Sequence, residues 1–194
     1  MALRDILIIP EKLLRVVSKP VATVNATIRA LADDMLETMY DAPGIGLAAI
    51  QIGEPLRLVT MDLSKKDDEK DPRVFINPEI TRREGQVVNQ EGCLSVAGIY
   101  DNVERAESVT VTALDRNGAR FTLNASGLLA VCIQHEMDHL QGKVFVEHLS
   151  ELRHRLLIAI AAIIPAFLLT FAFHTRLIEW LMRPLPEDKT LVTL

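Results

Sequence analysis

The sequence predicts an α+β fold in which antiparallel β-sheets pack around two helices, followed by an appended hydrophobic C-terminal helix. Three observations support this prediction. Apolar residues recur with helical periodicity around residue 30, and an apolar run of helix length lies around residue 135. Short strand-like segments joined by hairpin turns lie between these two regions. A long uncharged segment follows the second region. A parallel doubly wound sheet is not expected, because hairpin turns join antiparallel strands.

The composition is that of a folded domain with an appendage. The chain has 194 residues, of which 49% are hydrophobic, and this is ample for a core. A formal net charge of −5 provides no basic field for a phosphate backbone, so a nucleic-acid site is not expected. The first ten residues lack the long apolar core of a secretory signal, and a reducing cytoplasm is therefore the expected compartment for the two cysteines.

The first elements are an extended arm and an amphipathic helix. The arm covers apolar residues 6–9 and ends at Pro10. Residues 25–40 then show helical spacing, with Asn25 or Thr27 as the N-cap and Pro43-Gly44 as the end. The apolar positions that recur every three or four residues are Ile28, Leu31, Ala32, Met35, Leu36 and Met39.

Residues 44–53 form a glycine-containing segment. Gly44 and Gly46 allow close backbone approach to a ligand, although an ordinary glycine turn is also compatible with them and the spacing is not that of a dinucleotide loop. The amide of Gln51 could donate a hydrogen bond to a developing oxyanion beside a metal.

Short strands are predicted through the middle of the chain. Their ranges are 56–61, 74–77, 80–83, 86–89, 108–114 and 121–123, with a charged loop at 64–72 and a hairpin turn at 115–118.

The strongest chemical signal is a His-Glu-x-x-His pattern at residues 135–139. On a helix, positions i and i+4 lie on one face, so His135 and His139 can bind one metal ion. Glu136 lies beside them and could accept a proton from a metal-bound water. A catalytic metal needs a third protein ligand, and Cys93, which follows a glycine near a strand end, is the candidate. A sulfur and two imidazoles suit zinc or ferrous iron.

Three segments together resemble the peptide deformylase family. They are 44–51, Glu91-Gly92-Cys93-Leu94-Ser95 and 134–142, in the family's order and approximate spacing, and the resemblance covers residues 1–147. Ile50 and Ala97 stand where many members have proline. The resemblance implies antiparallel sheets around a central metal-binding helix. It also implies a hydrolase that removes the N-formyl group from the initiator methionine of nascent polypeptides, with release of formate, and that meets these chains at the ribosome.

The roles that the resemblance implies follow residue by residue. Cys93, His135 and His139 are the expected ligands of Fe²⁺, for which Zn²⁺, Ni²⁺ or Co²⁺ could substitute. Glu136 is the expected proton carrier, and the Gln51 amide and the Leu94 backbone N–H are the expected oxyanion donors. Glu91 and Arg105 resemble an ion pair that supports the cysteine loop, and Asp138 is either a partner of that network or a surface carboxylate.

Apolar residues around the same segments could line a methionine pocket. The candidates are Ile45, Gly46, Leu128, Val131 and Cys132, although ordinary core packing is an alternative for them.

The chain changes character after residue 147. Residues 156–173 contain no charge and would extend about 27 Å as a helix, close to the thickness of a bilayer core. Residues 147–157 resemble the start of TatC, a component of the twin-arginine translocase. Two explanations of residues 148–194 are open. They are a tail domain that tethers a cytoplasmic catalytic domain to the inner membrane, or the product of a gene-fusion or assembly accident.

Two other functions stay open at this point. A His-Glu-x-x-His metallopeptidase would take a ligand from downstream, where Glu151, His148 and His154 lie, and would leave Cys93 without a role. A non-catalytic membrane adaptor would use the metal only for structure and would have a closed site with four protein ligands.

Overall fold

The computed structural model describes residues 2–65, 68–143 and 147–182, and only the backbone at 147–155 and 177. Lys66 and Asp67 of the predicted charged loop lie outside these residues, as do the side chains of His148, Glu151 and His154. The chain divides into two compact units, Met1–Val146 and Glu147–Leu194.

The first unit contains seven strands and two helices among its described residues. In chain order they are α1 (Ala26–Asp41), β1 (Gly46–Ala48), β2 (Leu58–Met61), β3 (Arg73–Glu84), β4 (Val87–Cys93), β5 (Val96–Arg105), β6 (Ser108–Leu114), β7 (Arg120–Ser126) and α2 (Gly127–Leu140). Short 3-10 helices cover Lys12–Arg15 and Ala49–Ile52. The prediction of antiparallel sheets with packed helices is confirmed.

The strands form two antiparallel sheets. Five of them pair in the order β1-β2-β3-β6-β7, while β4 and β5 pair only with each other. The predicted strands 74–77 and 80–83 are one strand, β3, whose pairing with β6 shifts register between Ile76 and Glu79, on either side of Pro78. Proline cannot donate a ladder hydrogen bond, and this explains the irregularity.

The two helices pack against opposite faces of the larger sheet. Leu58 and Ile76 belong to the hydrophobic cluster that includes α1, whereas their strand neighbours Val59 and Phe75 pack with α2. This division follows from the alternation of side chains along a strand. Helix α2, which carries the His-Glu-x-x-His pattern, is therefore held against the sheet by a buried core.

Helix α1 has the N-cap that the sequence left open. The Asn25 side chain accepts a hydrogen bond from the Ile28 backbone N–H at 3.0 Å, and helical residues begin at Ala26, so Thr27 lies inside the first turn. The helix ends at Asp41, before Pro43.

The second unit contains two helices, α3 (Glu147–Ala172) and α4 (His174–Leu181). Pro165 lies within α3 without ending it, and Phe173 separates α3 from α4. No single helix among the described residues is long and apolar enough to span a bilayer. Leu156–Ala172 and His174–Leu181 together have the length and composition of a membrane span, but they form a pair bent by 64°. A single span over 156–173 stays a prediction.

Replacing Asn25 with alanine should lower the free energy of unfolding by about 1 kcal/mol, because the Ile28 N–H loses its acceptor at the helix end. Thr27→Ala is the matched control and should change it by less than about 0.5 kcal/mol. Urea denaturation followed by circular dichroism measures both. Equal losses from the two substitutions would show that Asn25 does not act as the cap.

Candidate active site

Three side chains with metal-ligating atoms converge where α2 meets β4. Cys93 ends β4, and His135 and His139 lie one turn apart on α2; their ligand atoms all lie within 4.8 Å of one another. His139 Nε2 is 3.2 Å from Cys93 Sγ and 3.3 Å from His135 Nε2. The structure thus brings together the three residues that the sequence predicts as ligands.

These distances fit a single cation. Ligands placed tetrahedrally at typical zinc–nitrogen and zinc–sulfur bond lengths are about 3.3 to 3.6 Å apart, which is close to the two spacings from His139 Nε2. Burial lowers the pKa of His139 to about 3, so its imidazole is neutral at pH 7, as a ligand must be. No other group of three such residues is found among the described residues.

A buried ion-pair network fixes the ring of His135. The Nδ1 of His135 is 2.8 Å from Glu91 Oε2, and because a carboxylate only accepts hydrogen bonds, Nδ1 is the donor. Arg105 donates to both carboxylate oxygens of Glu91, at 2.8 and 3.0 Å, and also to Asp138. Nε2 is therefore the nitrogen that faces Cys93 and His139.

The pKa values within this network follow from burial and its partners. Burial alone would raise the pKa of Glu91, but hydrogen bonds from His135 and Arg105 outweigh it and hold the pKa below its usual value. Burial opposes the charged form of His135 as well, yet its hydrogen bonds to Cys93 and Glu91 raise its pKa to about 10. Unlike His139, His135 would therefore have to release a proton before its Nε2 could bind a cation. Glu91 is consequently ionised at pH 7.

Glu136 is almost wholly buried and lines a cavity that Cys93 and His135 also line. Burial raises its pKa to about 7, with the positive charge of His135 acting in the opposite direction. Its Oε2 has no hydrogen-bond partner within the described part of the chain. A carboxyl group with a pKa near 7 can both accept and return a proton at neutral pH.

Gly46 leaves room for this carboxylate. A Cβ at position 46 would lie 2.5 Å from Glu136 Oε1 and 2.8 Å from Cys132 Sγ. The absence of a side chain at this position therefore has a definite steric role. It also means that the segment 44–48 is more than a glycine turn, since Gly46 begins strand β1.

Gln51 is held in one orientation beside Cys93. Its Oε1 accepts a hydrogen bond from the Ala48 N–H at 2.8 Å, so its NH₂ group points the other way, toward Ser95 Oγ at 3.2 Å and Cys93 Sγ at 3.8 Å. Ser95 is fully buried. Sequence reasoning did not select Ser95, although it belongs to the quoted segment that contains Cys93.

One cavity of about 450 Å³ contains most of the remaining predicted site residues. Gln51, Leu94 and all five predicted pocket residues line it; these five are Ile45, Gly46, Leu128, Val131 and Cys132. Cys132 is buried and its Sγ lies 3.9 Å from the Ile45 carbonyl oxygen, whereas Leu128 is exposed at the rim. The sequence did not single out Tyr100 and Ile99 of β5, which also line the cavity.

A cysteine, two histidines one helical turn apart and a buried carboxylate beside a cavity define the site of a metal-dependent hydrolase. The family model for polypeptide deformylases matches residues 3–155, and a model for the Sec-independent protein translocase protein TatC matches residues 147–194. The chain therefore belongs to the polypeptide deformylase family.

Individual relatives agree with this assignment. A peptide deformylase of Alkalilimnicola ehrlichii is 57% identical over 155 residues, which cover 80% of this chain and 86% of the relative. One of Mesorhizobium japonicum is 54% identical over 159 residues, or 81% and 90% of the two chains. The chain is accordingly an enzyme that removes the N-formyl group from nascent peptides, in a metal-dependent family.

Solved structures show the same fold. A peptide deformylase from Legionella pneumophila superposes with a TM-score of 0.72 at 51% identity, over 75% of this chain and 85% of that one. One from Synechococcus elongatus, in complex with actinonin, gives a TM-score of 0.72 at 46% identity, over 74% and 78% of the two chains.

Gly46→Ala should lower kcat by about 10- to 100-fold, because the added methyl group displaces the Glu136 carboxylate by a substantial fraction of an ångström or more. Formate release from a formyl-Met peptide measures the effect. Gly118→Ala is the control. Gly118 has a φ of +85° in the β6–β7 turn, so this substitution should cost stability and leave kcat unchanged. Undiminished kcat in Gly46→Ala would contradict the steric argument.

Proposed function

We propose that Cys93, His135 and His139 hold one Fe²⁺ ion, that Glu136 carries the proton in deformylation, and that the cavity binds the formyl-methionine end of a nascent chain. The observation that carries the proposal is the convergence of one sulfur and two imidazole nitrogens beside a buried carboxylate. When bound, the cation supplies Lewis acidity that activates water toward the formyl carbon. Zn²⁺, Ni²⁺ and Co²⁺ fit the same donors by ligand type.

Glu136 accepts the proton of the attacking water and returns it to the leaving amine. Its Oε2 is buried without a hydrogen-bond partner among the described residues, so its hydrogen-bonding capacity is unused, and Glu136 is one of the residues that line the cavity. A pKa near 7 places the carboxyl close to the midpoint of its titration at neutral pH, so neither transfer is strongly uphill.

The Gln51 amide and the Leu94 backbone N–H stabilise the negative charge that develops on the formyl oxygen. The hydrogen bond from Ala48 N–H to Gln51 Oε1 orients the amide so that its NH₂ group lies on the side of Cys93. A preoriented donor needs no rearrangement during the reaction and typically contributes about 3 kcal/mol. Leu94 follows Cys93 directly and lines the cavity.

The methionine side chain occupies the apolar part of the cavity. Val131 and Cys132 form its buried wall, with Ile45 and Leu128 exposed at its rim. An unbranched thioether fits an irregular apolar space well. Ribosomes produce the nascent formylated chains, so we propose that the enzyme works in the cytoplasm on chains that emerge from ribosomes.

The two rival functions lack this support. A metallopeptidase that takes a downstream ligand would not need Cys93, yet Cys93 Sγ lies 3.2 Å from His139 Nε2. A purely structural metal would call for a fourth protein ligand, and the described residues supply three.

Substituting the proposed residues separates binding of the metal from catalysis. Glu136→Gln should lower kcat by at least about 100-fold while retaining the metal, because the amide cannot carry a proton. Cys93→Ala should lose both metal and activity. Formate release and metal content are measured on protein purified without oxygen. An active Cys93→Ala variant would support the peptidase-like ligand set, and full activity in Glu136→Gln would exclude Glu136 as the proton carrier.

The same proposal assigns residues 1–147 to the catalytic domain and 148–194 to a tail that contacts the inner membrane. Exposed apolar side chains along α3 support a membrane partner; among them are Ile160, Ile163, Ile164, Phe167, Leu168 and Phe171. The apolar part of α3, Leu156–Ala172, is about 25 Å long, slightly less than a bilayer core.

Full-length protein should therefore float with vesicles of phosphatidylethanolamine and phosphatidylglycerol in a density gradient. The double variant Ile163→Lys/Phe167→Lys should remain at the bottom, because each lysine costs about 3 kcal/mol at the centre of a bilayer. Val17→Lys places a charge on an exposed apolar residue of the first unit and serves as the control. A wild-type chain that fails to float would exclude the tether.

A further inference from the structure

Gln134 makes a set of contacts that the reaction described above does not use. It lies on α2 immediately before His135 and is buried. Its Oε1 accepts a hydrogen bond from the Ala106 N–H at 3.0 Å, and its Nε2 donates to the Ala106 carbonyl at 2.9 Å and to the Ala130 carbonyl at 3.0 Å. One side chain thus pairs with both backbone groups of Ala106, as a neighbouring strand would.

The position of Ala106 gives this pairing its consequence. Ala106 directly follows Arg105, at the end of β5, and the Arg105 side chain donates to both oxygens of Glu91. Glu91 in turn accepts from His135 Nδ1. The contacts therefore form a closed ring that leaves α2 at Gln134, passes through Ala106, Arg105 and Glu91, and returns to α2 at His135.

The second tie between α2 and Arg105 lies one turn further along the helix. Asp138 accepts a hydrogen bond from Arg105 Nη1, and residues 134 and 138 share a helix face by their i, i+4 spacing. Gln134 fixes the backbone beside Arg105, whereas Asp138 fixes its guanidinium. The guanidinium is nine-tenths buried, so an alternative orientation would leave its charge without compensation.

We propose that Gln134 is a positioning residue for the metal site, which acts through Ala106, Arg105 and Glu91 to fix the ring of His135. The inference rests on the ligand set proposed above. Loss of the Gln134 contacts would let the end of β5 shift relative to α2, which would loosen the Glu91 carboxylate that orients Nδ1. Changes to groups that orient a histidine ligand typically weaken metal affinity about 10- to 100-fold.

The test measures the affinity of the full-length protein for Co²⁺ by competition with a chelator, together with the thermal stability of the metal-free protein. Gln134→Met keeps the length of the side chain and removes its hydrogen bonds. It should raise the Kd for Co²⁺ about tenfold and alter the visible absorption band of the bound ion. Unchanged affinity would overturn the proposal.

Asn77 offers a closely matched control. Its side-chain amide pairs with both backbone groups of Val21, at 2.8 Å in each case, and it is not among the residues that line the cavity. Asn77→Leu removes an equivalent pair of hydrogen bonds and adds strain, because residue 77 has a φ of +50°. It should lower thermal stability and leave the Kd unchanged. An equal loss of affinity in both variants would assign the effect to general destabilisation and overturn the proposal.

A double-mutant cycle tests the route of the effect. In a Glu91→Gln background the path to His135 is already weakened, so adding Gln134→Met should raise the Kd by less than about twofold. A tenfold rise in that background would show that Gln134 acts independently of Glu91. Cys93→Ala distinguishes failure of the proposed ligand set from failure of the positioning role of Gln134. If this variant binds Co²⁺ as tightly as the wild type, the ligand set itself is wrong.

Discussion

The carboxylate of Glu91 joins the β4–β5 hairpin to helix α2. It accepts two hydrogen bonds from Arg105 and one from His135. A buried ion pair of this kind seldom adds net stability over an apolar packing of equal volume, although removing one partner costs about 3 to 5 kcal/mol. Its value here is geometric. The smaller sheet has only two strands, and this network ties it to the helix that carries two of the three candidate ligands.

The regular spacing of residues along β4 and along α2 determines which side chains meet at the site. Glu91 and Cys93 are two residues apart on β4, and His135 and His139 are four apart on α2. Pairing Glu91 with His135 therefore brings Cys93 to His139. The sequence alone could predict the histidine pair, because one helix contains both residues. It could not place Cys93 by spacing, since the contact depends on how a hairpin docks. Cys93 was the candidate because a catalytic metal needs a third protein ligand, and the resemblance to a family supported that choice.

The fold was predictable where side-chain periodicity was clean. Helix α1 and the β6–β7 hairpin followed from apolar spacing and an Asn-Gly turn. Strand β5 was missed because most of its residues are exposed, so buried and exposed positions do not alternate along it. Strand β1 was missed because it has only three residues, all of them buried. Gln134 and Ser95 were also missed. Their importance lies in contacts with Ala106 and Gln51, which are distant in the sequence. In the second unit, helical structure continues through Pro165 and breaks at Phe173, where no proline or glycine marks the end.

The environment of Glu136 shows why the site cannot be optimised for stability alone. A buried carboxylate oxygen without a hydrogen-bond partner costs about 1 to 3 kcal/mol, and Glu136 Oε2 is such an atom within the described part of the chain. Adding a protein donor would recover that energy, but it would lower the pKa that burial raises to about 7 and occupy an atom of the carboxyl group that we propose as the proton carrier. Gly46 preserves the space instead, because any side chain there would press on the carboxylate. The unsatisfied oxygen and the missing Cβ are therefore two parts of one arrangement, in which stability is given up so that water or substrate can become the partner of Glu136.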